Sequence, residues 1–246
     1  MADQKLRNIA LLIDADNATA QGLDAVLTAL AEYGAVNIRR AYGNWTKPQL
    51  KGWIENVNKY GIETRQQFDI SKGKNATDMR MTIEAMDLLH RGHVDAFGIM
   101  SSDSDFMPLV TRLKQDGLPV YGFGKMTAPE GFREACTIYL DVESLIAIAK
   151  ASSISDEAKS NDATKKIEIS EDVRVLLLDA YDTSTQDPDG WAALSNIGKL
   201  ASNRSSFDAR NSGFKRLSDL VSAIPDFELN RSVGGDVRIR RKKSRF

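Results

Sequence analysis

Residues of the kinds that build disulfides and soft-metal sites are nearly missing from this chain. One cysteine, Cys136, stands in 246 residues. That excludes an internal disulfide and any Cys-based zinc site, and it fits a reducing compartment; its plain reading is a small buried apolar side chain. Histidine is scarce too. Neither His90 nor His93 falls at the end of a strand-like apolar run, which disfavours a zinc hydrolase or a His-based nuclease. The glycine-rich phosphate loops GxGxxG and GxxxxGK[ST] do not occur, so a nucleotide cofactor of those classes is not indicated. No stretch approaches the ~18 apolar residues of a membrane span, and the first five residues lack the apolar region of a signal peptide. A cytoplasmic protein is the expectation. A net charge of −1 gives no gross attraction to polyanions.

What is present is ordinary in bulk: 42% hydrophobic and 27% charged residues over a length that suits two domains. Through residue 150, short apolar runs alternate with helical patterns. Ile9–Ile13 reads as a strand, followed by a helix with Leu23, Val26, Leu27 and Leu30 on one face and Gly34 as its C-cap. Residues 35–41 read as a strand, Pro48 opens a helix closed by Gly61, and residues 62–68 form a weaker strand. A helix from Asp78 to His90 takes Met79, Ile83, Met86 and Leu88 or Leu89 as its core face. Then come a strand over 94–100, a helix over 106–115, strands over 119–123 and 137–140, and a helix over 142–150. This alternation predicts an α/β domain with a mostly parallel sheet flanked by helices.

Two of these strands end in acids. The run through Ile13 stops at Asp14-Ala15-Asp16-Asn17, and the run through Met100 stops at Ser101-Ser102-Asp103-Ser104-Asp105. Ser and Asp before a helix also serve as caps. In open α/β sheets, however, ligands bind outside the carboxyl ends of the strands. With Asp78 entering the first turn of the intervening helix, several carboxylates would converge on one crevice as a hard-oxygen site suited to Mg²⁺ or Mn²⁺. Asp16 is the less secure ligand, since neighbouring side chains on an extended segment point apart. Lys72 and Lys74, in the turn-like segment before Asp78, are placed either to neutralise substrate phosphates or to be a solvated turn.

Residues 151–168 change to Ser, Asp, Lys, Ala and Asn and read as a linker. Beyond it, three helical patterns lead to two short strands, 227–230 and 237–240, the order of a winged helix. From residue 190 onward there are 12 Lys and Arg against 5 Asp and Glu, while residues 1–150 carry 17 against 19. Arg238, Arg240 and Arg241 begin a basic tail that is either a solvated end or a phosphate-contacting arm.

The segments Leu12-Ile13-Asp14-Ala15-Asp16-Asn17, Thr77-Asp78 and Ser101-Ser102-Asp103-Ser104-Asp105-Phe106 resemble the three motifs of the NYN domain family of PIN-like nucleases, over residues 8 to about 148. The resemblance implies a parallel α/β sheet and metal-dependent endoribonuclease activity. It also implies acids at Asp14, Asp78, Asp103 and Asp105, with Asn17 matching the first motif. Ser102 stands where that family more often has glycine. Gly190-Trp191 and Gly213-Phe214-Lys215-Arg216-Leu217-Ser218-Asp219-Leu220, with Pro225 and Phe227, resemble the OST-HTH, or LOTUS, family over roughly 170–242. That implies RNA binding in some members and docking to helicases in others. Phe214, Leu217 and Leu220 suit the core; Lys215 and Arg216 suit either core edge or RNA contact.

The expected organisation is therefore a nuclease domain over 1–150, a linker over 151–168 and a winged-helix module with a basic tail over 169–246. The first functional reading is a ribonuclease acting on single-stranded or structured RNA. An RNA- or protein-binding adaptor whose acids serve structure or a lost activity is the alternative. A third is a phosphatase of small phosphoesters, whose Asp-x-Asp nucleophile motif is met only loosely at Asp14-Ala15-Asp16-Asn17.

Overall fold

A computed structural model of the chain describes residues 6–68, 75–157, 169–231 and 236–242. Lys72, Lys74, most of the expected linker and the turn between the last two strands lie outside these residues. Two compact units divide the chain, Met1–Ile146 and Ala147–Phe246.

The first unit is an α/β layer structure. Strands β1 (Leu6–Asp14), β2 (Gly34–Gly43), β3 (Glu63–Gln66), β4 (Ala96–Met100), β5 (Val120–Gly124) and β6 (Ile138–Asp141) form one sheet in the order β3-β2-β1-β4-β5-β6, every pair parallel. Parallel strands need helical crossovers, which cover both faces, and so the central strands are apolar throughout rather than alternating. Along β1, Ile9, Leu11 and Ile13 face one core with α1 (Leu23–Ala31), the turn Pro48–Trp53 and Val142 and Leu145 of α6 (Val142–Glu157). Ala10 and Leu12 face the other, with α3 (Ala76–His90), α4 (Met107–Gln115) and α5 (Glu130–Ala135). Helix α2 (Ile54–Tyr60) ends at Gly61, whose φ of 59° is the left-handed conformation expected of a C-cap glycine.

Three features differ from the sequence expectation. Gly34 does not cap α1 but opens β2, where a side chain would collide with the backbone of Leu6 on the neighbouring strand. Helix α3 buries Thr77, Met81, Ala85 and Leu88. Met79 and Ile83, expected in its core, are 65% and 58% exposed. Helix α6 continues past Lys150 to Glu157, so the segment read as linker begins helical.

The second unit carries α7 (Glu171–Thr183), α8 (Leu194–Arg204) and α9 (Leu217–Ala223), and a small antiparallel sheet β7-β9-β8 from Ala192–Ala193, Val237–Arg241 and Phe227–Arg231. Its core joins Leu177, Ile197, Leu220, Phe227 and Ile239. This is the small C-terminal domain that three helices and a hairpin predict.

Candidate active site

From β1 the sheet is built outward in one direction through β2 and β3, and from β4 in the other through β5 and β6. Strands β1 and β4 are therefore the switch point of the sheet, where loops leaving their carboxyl ends part into a crevice. They run in register from Ile9↔Ala96 to Ile13↔Met100. This brings Asp14, the last residue of β1, beside Ser101, the first residue after β4.

Asp14 is fully buried. Its Oδ2 accepts hydrogen bonds from Asn17 Nδ2 at 2.9 Å and Ser101 Oγ at 2.8 Å. Its Oδ1 is also buried and, among the described residues, has no hydrogen-bond partner. Burial raises the Asp14 carboxyl above the usual carboxylate range, while the bonds from Asn17 and Ser101 pull it back and the charge of Asp16 adds to the rise. Asp78 stands in the first turn of α3. Burial, followed by the charges of Asp14, Asp103, Asp105 and Asp16, pushes it up to about 6. The aspartates singled out from sequence thus act on one another across three chain segments.

The capping reading of the Ser-Asp-Ser-Asp stretch is realised in its fold. Asp103 Oδ1 accepts from Asp105 N at 2.9 Å and caps the turn Ser104–Phe106, which occupies one of its two carboxylate oxygens. Ser101 Oγ also accepts from Asp103 N at 3.1 Å, so one serine ties Asp14 to the Asp103 backbone. Asp105 is exposed, and its Oδ2 accepts from Asn75 Nδ2 at 2.6 Å. The Ser102 hydroxyl accepts from Lys125 N at 2.8 Å.

Asp16 has a different position. Its Oδ2 accepts from Thr77 Oγ1 at 3.1 Å and Asn44 N at 3.3 Å, and its Oδ1 pairs with Lys47 Nζ at 3.2 Å. Asp16 braces the start of α3, the element that carries Asp78, against the end of β2. Sequence reasoning missed Ser101, Asn75, Thr77, Asn44 and Lys47 as partners of the acids. Ser101 and Thr77 do stand within the motif segments. Asn44 and Lys47 lie 28 and 31 residues from Asp16, and no local pattern announces them.

Among the described residues, no three His, Cys, Asp or Glu side chains converge closely enough to enclose a metal ion on their own. The donors at the crevice are all hard oxygens, and one buried carboxylate oxygen lacks a partner. That set fits Mg²⁺ or Mn²⁺ held through one or two carboxylates with much of its water shell kept, rather than a closed protein cage.

In the second unit, Lys215 and Arg216 are exposed just before and at the cap of α9, and among the described residues neither has an ion-pair partner. The arginines of β9 are differently placed. Arg238 pairs with Asp187 at 2.9 Å, Arg240 with Glu228 at 2.8 Å and Arg241 with Asp182 at 3.4 Å. Arg240 also lies over the Trp191 ring, 4.7 Å from its centre.

The raised Asp78 makes a prediction about stability. Its folded-state value lies above the ~3.9 of a free aspartate, so between about pH 4 and 6 the folded protein holds the extra proton and stability falls as pH rises. Asp78→Asn should therefore raise Tm at pH 7.5, without added metal, by about 2–4 °C. The gain should vanish near pH 4, where the wild-type carboxyl is already neutral. Calorimetric melts across that range check it, and a gain independent of pH would contradict the repulsion.

Two known domain families match the chain. The NYN domain family matches residues 8–145, and the OST-HTH/LOTUS domain family matches residues 167–239. The uncharacterized protein MJ0482 of Methanocaldococcus jannaschii is 32% identical over 132 residues, a match that takes in 52% of this chain and 50% of that protein. The chain thus spans half the length of that relative. Among solved structures, a protein of unknown function, VPA0982 from Vibrio parahaemolyticus, superposes with a TM-score of 0.45 at 19% identity, over 57% of this chain and 95% of that one. A LacI family transcriptional regulator from Brachyspira murdochii reaches a TM-score of 0.30 at 13% identity, over 84% of this chain and 54% of that one. Likenesses this low say nothing about function. The NYN match spans more than half of the sequence and includes all the crevice aspartates, and the chain belongs to the NYN domain family, with an OST-HTH/LOTUS domain behind it.

Proposed function

We propose that this chain is a metal-dependent endoribonuclease that hydrolyses RNA phosphodiesters in the crevice between β1 and β4, with its OST-HTH/LOTUS domain holding the RNA. The observation that carries the reading is Asp14. It is fully buried, oriented through one oxygen by Asn17 and Ser101 and, among the described residues, left without a partner at the other. A buried carboxylate in that state is costly, and a cation offsets the cost. That NYN domains group with PIN-like nucleases supports the same reading.

In this mechanism Asp14 and Asp78, with Asp103 and Asp105, would hold Mg²⁺ or Mn²⁺, and such an ion would supply Lewis-acid polarisation of a phosphoryl oxygen and a more acidic water. The chain's own residues prepare that step. Asn17 and Ser101 keep the Asp14 carboxylate in one orientation, so little reorganisation is needed when substrate arrives. Asp16, through Thr77, holds the first turn of α3 and with it Asp78. Below about pH 6 a proton competes for Asp78, and activity should decline on that side.

Cleavage is assigned to residues 1–150, RNA retention to 169–246, and a tether to the residues between, which raises the local concentration of RNA at the crevice. Lys215 and Arg216 are exposed cations available to phosphates. One observation favours the adaptor reading for the second unit. Arg238, Arg240 and Arg241 are already paired with acids of their own domain, as suits a surface that docks a protein rather than a bare phosphate-binding arm.

The deciding assay offers single-stranded RNA and a generic phosphatase substrate side by side, with Mn²⁺, Mg²⁺ or EDTA. The wild type should cut RNA, leave the phosphatase substrate alone and stop in EDTA. Asp103→Asn retains an oxygen able to cap the turn but loses the charge, so kcat should fall by about 10²–10³ with Tm unchanged or slightly raised. Intact cleavage together with a lowered Tm would make Asp103 a cap and nothing more.

For the second unit, replacing Lys215 and Arg216 with alanine should weaken RNA binding several-fold and lower the salt slope by about 2. Arg238→Ala should do less. Filter binding over a salt series reads both, and equal affinity in all three proteins would point instead to protein docking.

A further inference from the structure

Beside the crevice, α3 combines a carboxylate and an apolar stripe on one rigid element. Asp78 stands in its first turn, and Met79 and Ile83, four residues apart, share a face. Met79 is 65% exposed, Ile83 58% and Met107, at the start of α4, 42%. With Pro108 they line one groove of about 680 Å³, whose polar wall includes Asn75, Thr82 and the crevice acids Asp78 and Asp105. Single exposed apolar side chains need no explanation, but three gathered in one groove with a polar rim mark a contact surface.

We propose that this groove seats an unpaired nucleobase of the RNA strand, next to the phosphate held at the acids. The inference rests on the ribonuclease reading and adds to it the form of the substrate. Two observations select this occupant. The groove and the crevice share Asp78 and Asp105, so a group on its apolar side lies beside the carboxylates that, on the ribonuclease reading, would receive the cation and its phosphate. A nucleotide has that asymmetry, an anionic group that reaches carboxylates only through a cation and, a few bonds away, a flat ring with an apolar face. Thioethers such as those of Met79 and Met107 contact aromatic rings favourably, and Asn75 and Thr82 can meet the polar base edge. The same acids count against a second copy of the chain. A two-fold interface brings a patch against itself, and it would set Asp78 and Asp105 of one copy against those of the other. A paired base is already stacked on both faces, so the seat takes single-stranded or looped RNA.

The test uses the full chain with ¹³C-methyl methionine, its seven Met resonances assigned through Met79→Leu and Met107→Leu. Ca²⁺ replaces Mg²⁺ to slow cleavage. An eight-nucleotide single-stranded RNA should shift the Met79 and Met107 methyls, and the same oligonucleotide with abasic riboses should not. In cleavage assays, Met79→Ala with Ile83→Ala should raise KM for single-stranded RNA about tenfold. Since both side chains are exposed, Tm should hold. Equal shifts with the abasic strand would overturn the proposal, as would methyls that stay still while RNA binds. Shifts that follow protein concentration alone, with a dimer in sedimentation, would assign the groove to a second copy and overturn it too. If RNA is never cut but the base-dependent shifts persist, the nuclease reading fails and the nucleobase seat stands.

Discussion

Negative charge gathered at one edge of a parallel sheet is the constraint on which the rest of this structure depends. Asp14 lies fully buried at the end of β1, and the charges of Asp14, Asp103, Asp105 and Asp16 all bear on Asp78. Left alone, such a cluster would push its segments apart or take up protons. The surrounding residues restrain it. Ser101 bonds to Asp14 and to the Asp103 backbone, Asn75 bonds to Asp105, and Lys47 pairs with Asp16. These bonds stop short of neutralising the crevice, and the Asp14 oxygen without a partner is where the compensation is incomplete. A protein selected for stability alone would have replaced it.

The sheet makes that strain sustainable. Both faces of β1 and β4 are packed, with the residues of each strand from Ile9 and from Ala96 essentially inaccessible. A strand held from two sides and paired to two neighbours does not yield to repulsion at its end. The switch between β1 and β4 opens the space at that end without a gap in the core. Fold and site are coupled in this way: the apolar runs that make the sheet are also the struts that keep the acids close.

Much of this was legible in the sequence, for physical reasons. The runs at Ile9–Ile13 and Ala96–Met100 are apolar at every position, which only a strand covered on both faces requires, and the acids that follow mark the strand ends. Gly61 announced its cap through the left-handed conformation that follows α2. The register of α3 was not legible. Met79 and Ile83 form one apolar stripe, while Met81, Ala85 and Leu88 form another, and helical spacing cannot say which faces the sheet. The stripe that turned outward is the one beside the acids. Gly34 was misplaced because its need arises from Leu6 on a different strand, and α5 went unseen because Glu130–Ala135 is short and offers one large apolar residue, Phe132. The arginines of β9 show the same limit, since their basic run is visible locally but Asp182, Asp187 and Glu228 come from elsewhere in the domain.

If uncompensated carboxylate charge is the organising feature of the crevice, a cation must enter it at Asp14. The most direct measurement is anomalous diffraction from a crystal of the full chain soaked in millimolar Mn²⁺ at neutral pH. A Mn²⁺ peak is expected within coordination distance of an Asp14 oxygen and of at least one of Asp78 and Asp103, lost in Asp14→Asn. A well-ordered crevice with no peak at that concentration, or a peak only at other surface carboxylates, would contradict it.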